Sequence, residues 1–337
     1  MAPRTATPRH FLSIQDLASD LGRLIEHAAR LKAQRRRARL RPSLSGRNIA
    51  LIFEKPSTRT RTSFEGGIHD LRGDAIYYSP KEMQLGRGET IGDTARVLSR
   101  YVDAIVYRAF RHDSVLELAR SATVPVINAL DDREHPTQIV ADLLTLSERW
   151  KGSFKGRRLA WIGDGNNVLH SLMLGAALVG LDLVCATPEN YRPLPEIVTL
   201  AREYGQPRGA GLTFTDDPAA AAEGADALYT DVWVSMGDEA ETAKREKAFR
   251  GFQINAELLA RAKPTAFVLH DLPAHRGQEI TDEVLDGARS AAWDEAENRL
   301  HAEKAILELL LAPERLPRPS AARPWAPKLT ARRSTRR

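Results

Sequence analysis

Two apolar patterns alternate along this chain. Short unbroken runs read as strands buried on both faces, and longer stretches with apolar residues every third or fourth position read as helices. The first clear run is Ile49-Ala50-Leu51-Ile52-Phe53, followed by Phe64, Ile68 and Leu71 at spacings of four and three. Upstream, Leu12, Ile14, Leu17, Leu21 and Leu24 run at near-helical spacing. Further strands are predicted at 75–78, 104–108, 124–128, 158–162, 181–186, 212–214, 227–230 and 266–269. Helices are predicted over 91–101, 114–121, 136–150, 168–179 and 294–311. Strands alternating with helices imply parallel βαβ units, hence an α/β fold. The long helix ending near Trp150, followed by Lys151-Gly152-Ser153-Phe154-Lys155-Gly156, reads as a link between two domains.

The polar residues between these elements are not scattered. The first strand leads into Ser57-Thr58-Arg59-Thr60-Arg61 at the start of a helix. Backbone N–H groups there have no partner within the helix, and its dipole adds positive potential, so the stretch is a natural anion site. Taken alone, it is equally an N-cap followed by solvated arginines. Arg108 ends a strand. His135-Pro136-Thr137-Gln138 opens the linking helix, with proline at a position preorganised for a first turn. Gly163-Asp164-Gly165-Asn166-Asn167 follows a strand but has Val168 where a dinucleotide fingerprint needs its third glycine, so it presents asparagine amides rather than an NAD site. Asp231-Val232-Trp233-Val234-Ser235-Met236-Gly237 and His270-Asp271-Leu272-Pro273-Ala274-His275-Arg276-Gly277 follow the last two strands. Trp233 reads as loop packing, His301 as structural, and His275 and Arg276 as either loop supports or ligand contacts. Clusters at the carboxyl ends of strands predict one cleft.

Length and composition add limits. A chain of 337 residues is long for one core, and 42% hydrophobic with 28% charged residues is ordinary for a soluble protein. Cys185 is the single cysteine, which excludes an intramolecular disulfide and a cysteine-based zinc site. No apolar run is long enough to span a membrane and no apolar signal core opens the chain, so a cytoplasmic location is expected. The net charge of +5 is misleading. Residues 312–337 carry eight Arg or Lys against one acid, leaving residues 1–311 at −2. That Pro-rich basic tail is expected to be disordered, and a nucleic-acid function is poorly supported.

In order and in combination, Ser-Thr-Arg-Thr-Arg, His-Pro-Thr-Gln, Gly-Asp-Gly-Asn-Asn, Asp-Val-Trp-Val-Ser-Met-Gly and Leu-Pro-Ala-His-Arg-Gly resemble the aspartate/ornithine carbamoyltransferase family, on its ornithine branch, over about residues 10–311. The resemblance implies two α/β domains, each a mainly parallel sheet flanked by helices and joined by interdomain helices. A carbamoyl-phosphate domain would span 1–150 and an amino-acid domain 151–290, with a helix over 291–311 returning to the first. It implies transfer of a carbamoyl group from carbamoyl phosphate to L-ornithine in arginine biosynthesis, by a homotrimer with shared sites and with no cofactor or metal. Ser57, Thr58, Arg59, Thr60, Gln84, Arg108, His135, Gln138, Asp271, Leu272 and Arg299 would bind carbamoyl phosphate. Asn167, Asp231, Ser235 and Met236 would bind ornithine. Arg108, His135, Asp271 and Arg299 would be catalytic. One departure stands out: the family has cysteine where this chain has Asp271. A different amine such as lysine, or a catalytically impaired paralogue, is the alternative this raises.

Overall fold

The structure is a computed structural model that describes residues 8–79, 83, 88–235 and 239–318. Gln84, Met236 and most of the basic tail lie outside the described residues.

The first half contains helix α1 (Leu21–Arg36), strand β1 (Asn48–Phe53), α2 (Thr58–Asp70), β2 (Asp74–Tyr78), α3 (Ile91–Leu98), β3 (Ala104–Arg108), α4 (His112–Ser121), β4 (Val126–Leu130) and α5 (Pro136–Arg149). The second contains β5 (Arg158–Ile162), α6 (Asn167–Val179), β6 (Asp182–Ala186), α7 (Pro195–Gly205), β7 (Leu212–Thr215), α8 (Pro218–Ala222), β8 (Ala227–Thr230), α9 (Thr242–Ala248), α10 (Ala256–Arg261), β9 (Phe267–His270), α11 (Asp282–Leu285) and α12 (Ala292–Leu311). The strands form two wholly parallel sheets, ordered β2-β1-β3-β4 and β7-β6-β5-β8-β9. This is the two-domain α/β architecture expected from the apolar pattern.

In each sheet the chain starts in the middle and reverses direction of travel, between β1 and β3 and again between β5 and β8. Crevices at the carboxyl ends of such strand pairs are where α/β sheets bind ligands. The β1 interior is apolar and buried throughout from Ile49 to Phe53, as a strand covered by helices on both faces must be.

Strand β4 starts two residues later than the apolar run predicts. Pro125 has no N–H for the ladder, so the run's first residues lead in, and its carbonyl still accepts from Ile105 at 2.9 Å. Phe11 bridges to Ile127 along the outer side of β4 and so covers that edge. Opposite, β3 and β4 slip register between Tyr107 and Arg108. Such a bulge re-aims the side chain beside it.

Helices α5, α6, α1 and α12 share one buried apolar cluster that joins the halves, with Leu143, Leu146, Leu172, Met173 and Ile306 fully or almost fully buried in it. Helix α12 follows the second sheet but packs against α5, α1 and α2 of the first half. The halves are therefore fastened twice, by α5 and by α12.

The turn after β5 depends on one glycine. A Cβ on Gly165 would lie 2.4 Å from the Pro193 nitrogen and 2.5 Å from the Arg192 carbonyl carbon, both backbone atoms. Its own N–H donates to the Tyr191 carbonyl at 2.9 Å. Gly165→Ala should therefore destabilise the protein by about 1–3 kcal/mol in urea unfolding. Gly66→Ala should be neutral or stabilising, because it sits inside α2 with its nearest neighbour 3.6 Å away.

Candidate active site

The carboxyl ends of β1, β3, β5, β8 and β9 and the N-terminal half of α12 enclose a cavity of about 600 Å³. Its walls carry Ser57, Thr58, Arg59, Thr60, Arg108, His135, Asn167, Asp231, Ser235, Asp271, Leu272 and Arg299, all predicted site residues. His275 also lines it, whereas Arg276 points away and is paired with Asp282 and Asp286, each at 2.7 Å. Trp233 stacks on Phe249 with ring centroids 6.0 Å apart, as a loop-packing residue should. His301 is buried in α12 and Cys185 in β6, away from the cavity.

One wall is cationic. Ser57 caps α2, accepting from the Thr60 N–H at 3.2 Å and donating its hydroxyl to Thr60 Oγ1 at 3.0 Å. Arg299 comes from α12 and donates to Thr60 Oγ1 at 2.5 Å and to Gln138 Oε1 at 2.6 Å. Arg59 and Arg108 complete the wall. The Nε atoms of Arg59, Arg108 and Arg299 are buried and have no hydrogen-bond partner among the described residues. Burial first, and then the Arg299 and Arg59 charges, push Arg108 down to about 9. His135 is held well below the usual imidazole range by burial and by the same three guanidinium groups, so it is neutral. Converging cations beside a helix N-terminus form a strong site for an oxyanion. A neutral imidazole and two guanidinium groups can also donate to an oxygen on which charge develops.

The other wall is acidic. Asp231 follows β8 and accepts from Asn166 Nδ2 and from the Val232 N–H, both at 2.7 Å. Burial, then the charge and hydrogen bond of Asp271, hold the Asp231 carboxyl well above the ordinary range. Two adjacent buried carboxyl groups share a proton rather than ionise together. Asp231 thus keeps its proton to higher pH than a free aspartate.

Asp231, Asp271 and His270 offer ligand atoms within 4.8 Å of one another. His270 is poorly placed to bind metal, because Nε2 meets Glu279 Oε1 at 3.0 Å and the Leu272 N–H points at Nδ1 from 2.9 Å. Burial disfavours charge on this ring, yet Asp271, Glu279 and Asp231 raise it to about 9. The backbone amide and a proton therefore compete for the Nδ1 lone pair.

Gln138 differs from the other predicted ligands. It is fully buried and does not line the cavity, which it reaches through Arg299. Behind it, sequence reasoning missed Asp142, Glu295 and Tyr229, which are fully buried, and Glu279 behind His270. The signal available for Asp142 was its position one helical turn after Gln138.

These features define a two-domain α/β enzyme whose interdomain cleft sets an anion-binding wall against an acidic one. The chain belongs to the aspartate/ornithine carbamoyltransferase family. Residues 9–148 match its carbamoyl-P binding domain and residues 155–310 its Asp/Orn binding domain. It is 53% identical over 304 residues to a protein named ornithine carbamoyltransferase, catabolic, from Thermoplasma volcanium, covering 90% of this chain and 99% of that one. It is 54% identical over 304 residues to an ornithine carbamoyltransferase from Acidothermus cellulolyticus, covering 90% and 96%. The solved ornithine carbamoyltransferase from Pyrococcus furiosus matches with a TM-score of 0.87 at 48% identity, over 90% of this chain and 97% of that one.

The cationic wall predicts ligand-linked stability. Inorganic phosphate at ten times its dissociation constant should raise the unfolding free energy by about 1.4 kcal/mol. The rise in melting temperature should largely vanish in Arg59→Gln.

Proposed function

We propose that the protein transfers the carbamoyl group of carbamoyl phosphate to the δ-amine of L-ornithine, giving L-citrulline and phosphate. The observation that carries this reading is the division of one cleft into a tri-arginine wall at a helix N-terminus and an acidic wall of Asp231 and Asp271. A dianionic donor and an amine-bearing acceptor fit these two walls. Relatives at about half identity carry the name of this activity.

In this reading Ser57, Thr58, Arg59 and Thr60 hold the phosphate, with Gln84 contributed from a neighbouring subunit. Arg108, His135 and Thr60 donate to the carbamoyl oxygen, and Arg299 orients Thr60 and Gln138. Leu272 contributes backbone beside the carbamoyl nitrogen. Asn167, Asp231, Ser235 and Met236 bind the α-groups of ornithine. The neutral δ-amine attacks the carbamoyl carbon, and the oxygen becomes an oxyanion. Collapse breaks the bond to phosphate, and the amine proton passes to Asp271 or to the departing phosphate. No metal or cofactor takes part. Removing one oxyanion donor, as in Arg108→Met, should cost about 100- to 1000-fold in kcat.

Asp271 alters this chemistry in a defined direction. A carboxylate beside the bound amine stabilises its ammonium form, which cannot attack. Asp271→Asn removes the carboxyl group beside the amine, so the acid limb of kcat should move down by about one pH unit. The reading fails if carbamoyl phosphate with ornithine, lysine or putrescine yields no phosphate release across pH. Ornithine should be preferred, since Asn167 and Ser235 suit a substrate that keeps its α-carboxylate.

The assembly we propose is a homotrimer in the cytoplasm. Val97 and Tyr101, one helical turn apart, and Phe110 are 44%, 69% and 52% exposed on the first domain, which supports a protein interface there. Light scattering should give three times the chain mass, and Tyr101→Asp should lower it. Forward flux serves arginine biosynthesis; the Thermoplasma relative carries the name catabolic.

A further inference from the structure

Behind the cavity, out of reach of any substrate, lies a second pair of carboxyl groups. Asp142 is on α5 and Glu295 on α12, and both are fully buried. Among the described residues, the donors that reach their four oxygens are all neutral. The Gln138 amide nitrogen donates to Asp142 Oδ1 at 2.8 Å and to Glu295 Oε1 at 3.2 Å. The Tyr229 hydroxyl donates to Asp142 Oδ2 at 2.9 Å, and the His270 N–H to Glu295 Oε2 at 2.9 Å. The one Gln138 amide nitrogen thus bridges the two carboxyls, and each acts on the titration of the other.

Neighbouring buried carboxyl groups with no cation in contact cannot both ionise. Their partners come from both halves of the molecule: Gln138 from the first, Tyr229 on β8 and His270 on β9 from the second. Gln138 passes the constraint to Arg299 and through it to Thr60 on the cationic wall. The His270 N–H passes it to the residue preceding Asp271 on the acidic wall. We propose that Asp142 and Glu295 are a proton-sharing positioning pair that sets the orientation of the Gln138 amide and ties the two walls of the cleft in register.

The geometry favours the shared proton on Glu295: Asp142 accepts two short bonds, at 2.8 and 2.9 Å, whereas one of the two that Glu295 accepts is longer, at 3.2 Å. Burial raises both groups. Besides each other, the titratable groups acting on them are Tyr229 and Asp271, with Arg299 beyond Gln138. With the proton in place, Glu295 donates to Asp142 and its other oxygen still accepts from His270. As pH rises through the elevated Glu295 value the proton is lost, two adjacent charges repel, and the register between the walls loosens. Activity therefore falls on the alkaline side.

The inference rests on the carbamoyl-transfer reading, and isosteric amides test it separately. Glu295→Gln comes closest to the protonated acid, since its amide nitrogen can donate to Asp142 and its oxygen can accept from His270, with only the longer 3.2 Å bond from Gln138 given up. Asp142→Asn cannot serve in the same way. It removes the charge that accepts from Gln138, Tyr229 and Glu295, and its nitrogen either meets the Gln138 donor or forces the Tyr229 hydroxyl to turn and accept. Glu295→Gln should lose no more than about threefold in kcat, with its alkaline limb shifted to higher pH. Asp142→Asn should lose about tenfold to a hundredfold in kcat and weaken carbamoyl phosphate binding, with its melting transition retained.

Equal losses in both variants, with an unshifted alkaline limb, would overturn the proposal. Should the unaltered chain show no turnover, the functional reading falls. Calorimetric titration of carbamoyl phosphate then decides the pair's role: weaker binding in Asp142→Asn than in Glu295→Gln supports it, and equal binding overturns it.

Discussion

Three guanidinium groups repel one another, and the fold holds them together in a largely buried place. Arg59, Arg108 and Arg299 face the same cavity, and their mutual repulsion lowers the proton affinity of Arg108 and of neutral His135 beside them. Such a cluster costs free energy unless nearby negative charge or an anion offsets it. Much of the architecture follows from that need. Each arginine is anchored on a different element, so no single flexible segment can relieve the strain by moving away. Arg59 sits in the first turn of α2, Arg108 ends β3 at a bulge, and Arg299 lies within α12. Glu303, one turn beyond Arg299, is completely buried, and burial pushes it up to about 8 despite that cation. It therefore gives little charge compensation near neutrality. The charge that balances the arginines has to come from across the cleft or from substrate.

That requirement links the two halves. Burial and the neighbouring guanidinium groups lower both Arg59 and Arg108, and the charge of Asp271, on the opposite wall, partly offsets this for each of them. The cleft is consequently an electrostatic joint as well as a binding site. Two helices hold its walls: α5 leads from one sheet to the other, and α12 returns. The buried acid pair lies where these two helices meet, so the residues that fix the joint are also the ones that touch both walls.

The reading frame of the fold was legible in the sequence for a physical reason. Parallel strands buried on both faces leave unbroken apolar runs, and the polar clusters at their carboxyl ends stand out against them. Ser57 to Arg61 was ambiguous alone and became interpretable only with Arg108, His135 and Asp231 at equivalent strand ends. The start of β4 was misplaced because Val124 and Val126 look alike as apolar residues, while the proline between them removes a ladder donor. The supporting layer was not legible. Asp142 and Glu295 lie on helices buried on nearly every side, where an acid in the sequence looks the same as one on a solvated face. Glu295 follows Asp294 in the first turn of α12, a position where acids are ordinary because of the helix dipole. Only the three-dimensional meeting of α5, α12, β8 and β9 distinguishes it.

Asp271, where the family resemblance leads one to expect a cysteine, can now be weighed by its surroundings. It shares them with Asp231, whose carboxyl is held well above the ordinary range by burial and then by Asp271 itself. The second wall thus sets Asp271 beside a carboxyl that resists ionisation. An acidic residue after His270 therefore moves the wall's polarity toward that strand end rather than leaving it on Asp231 alone.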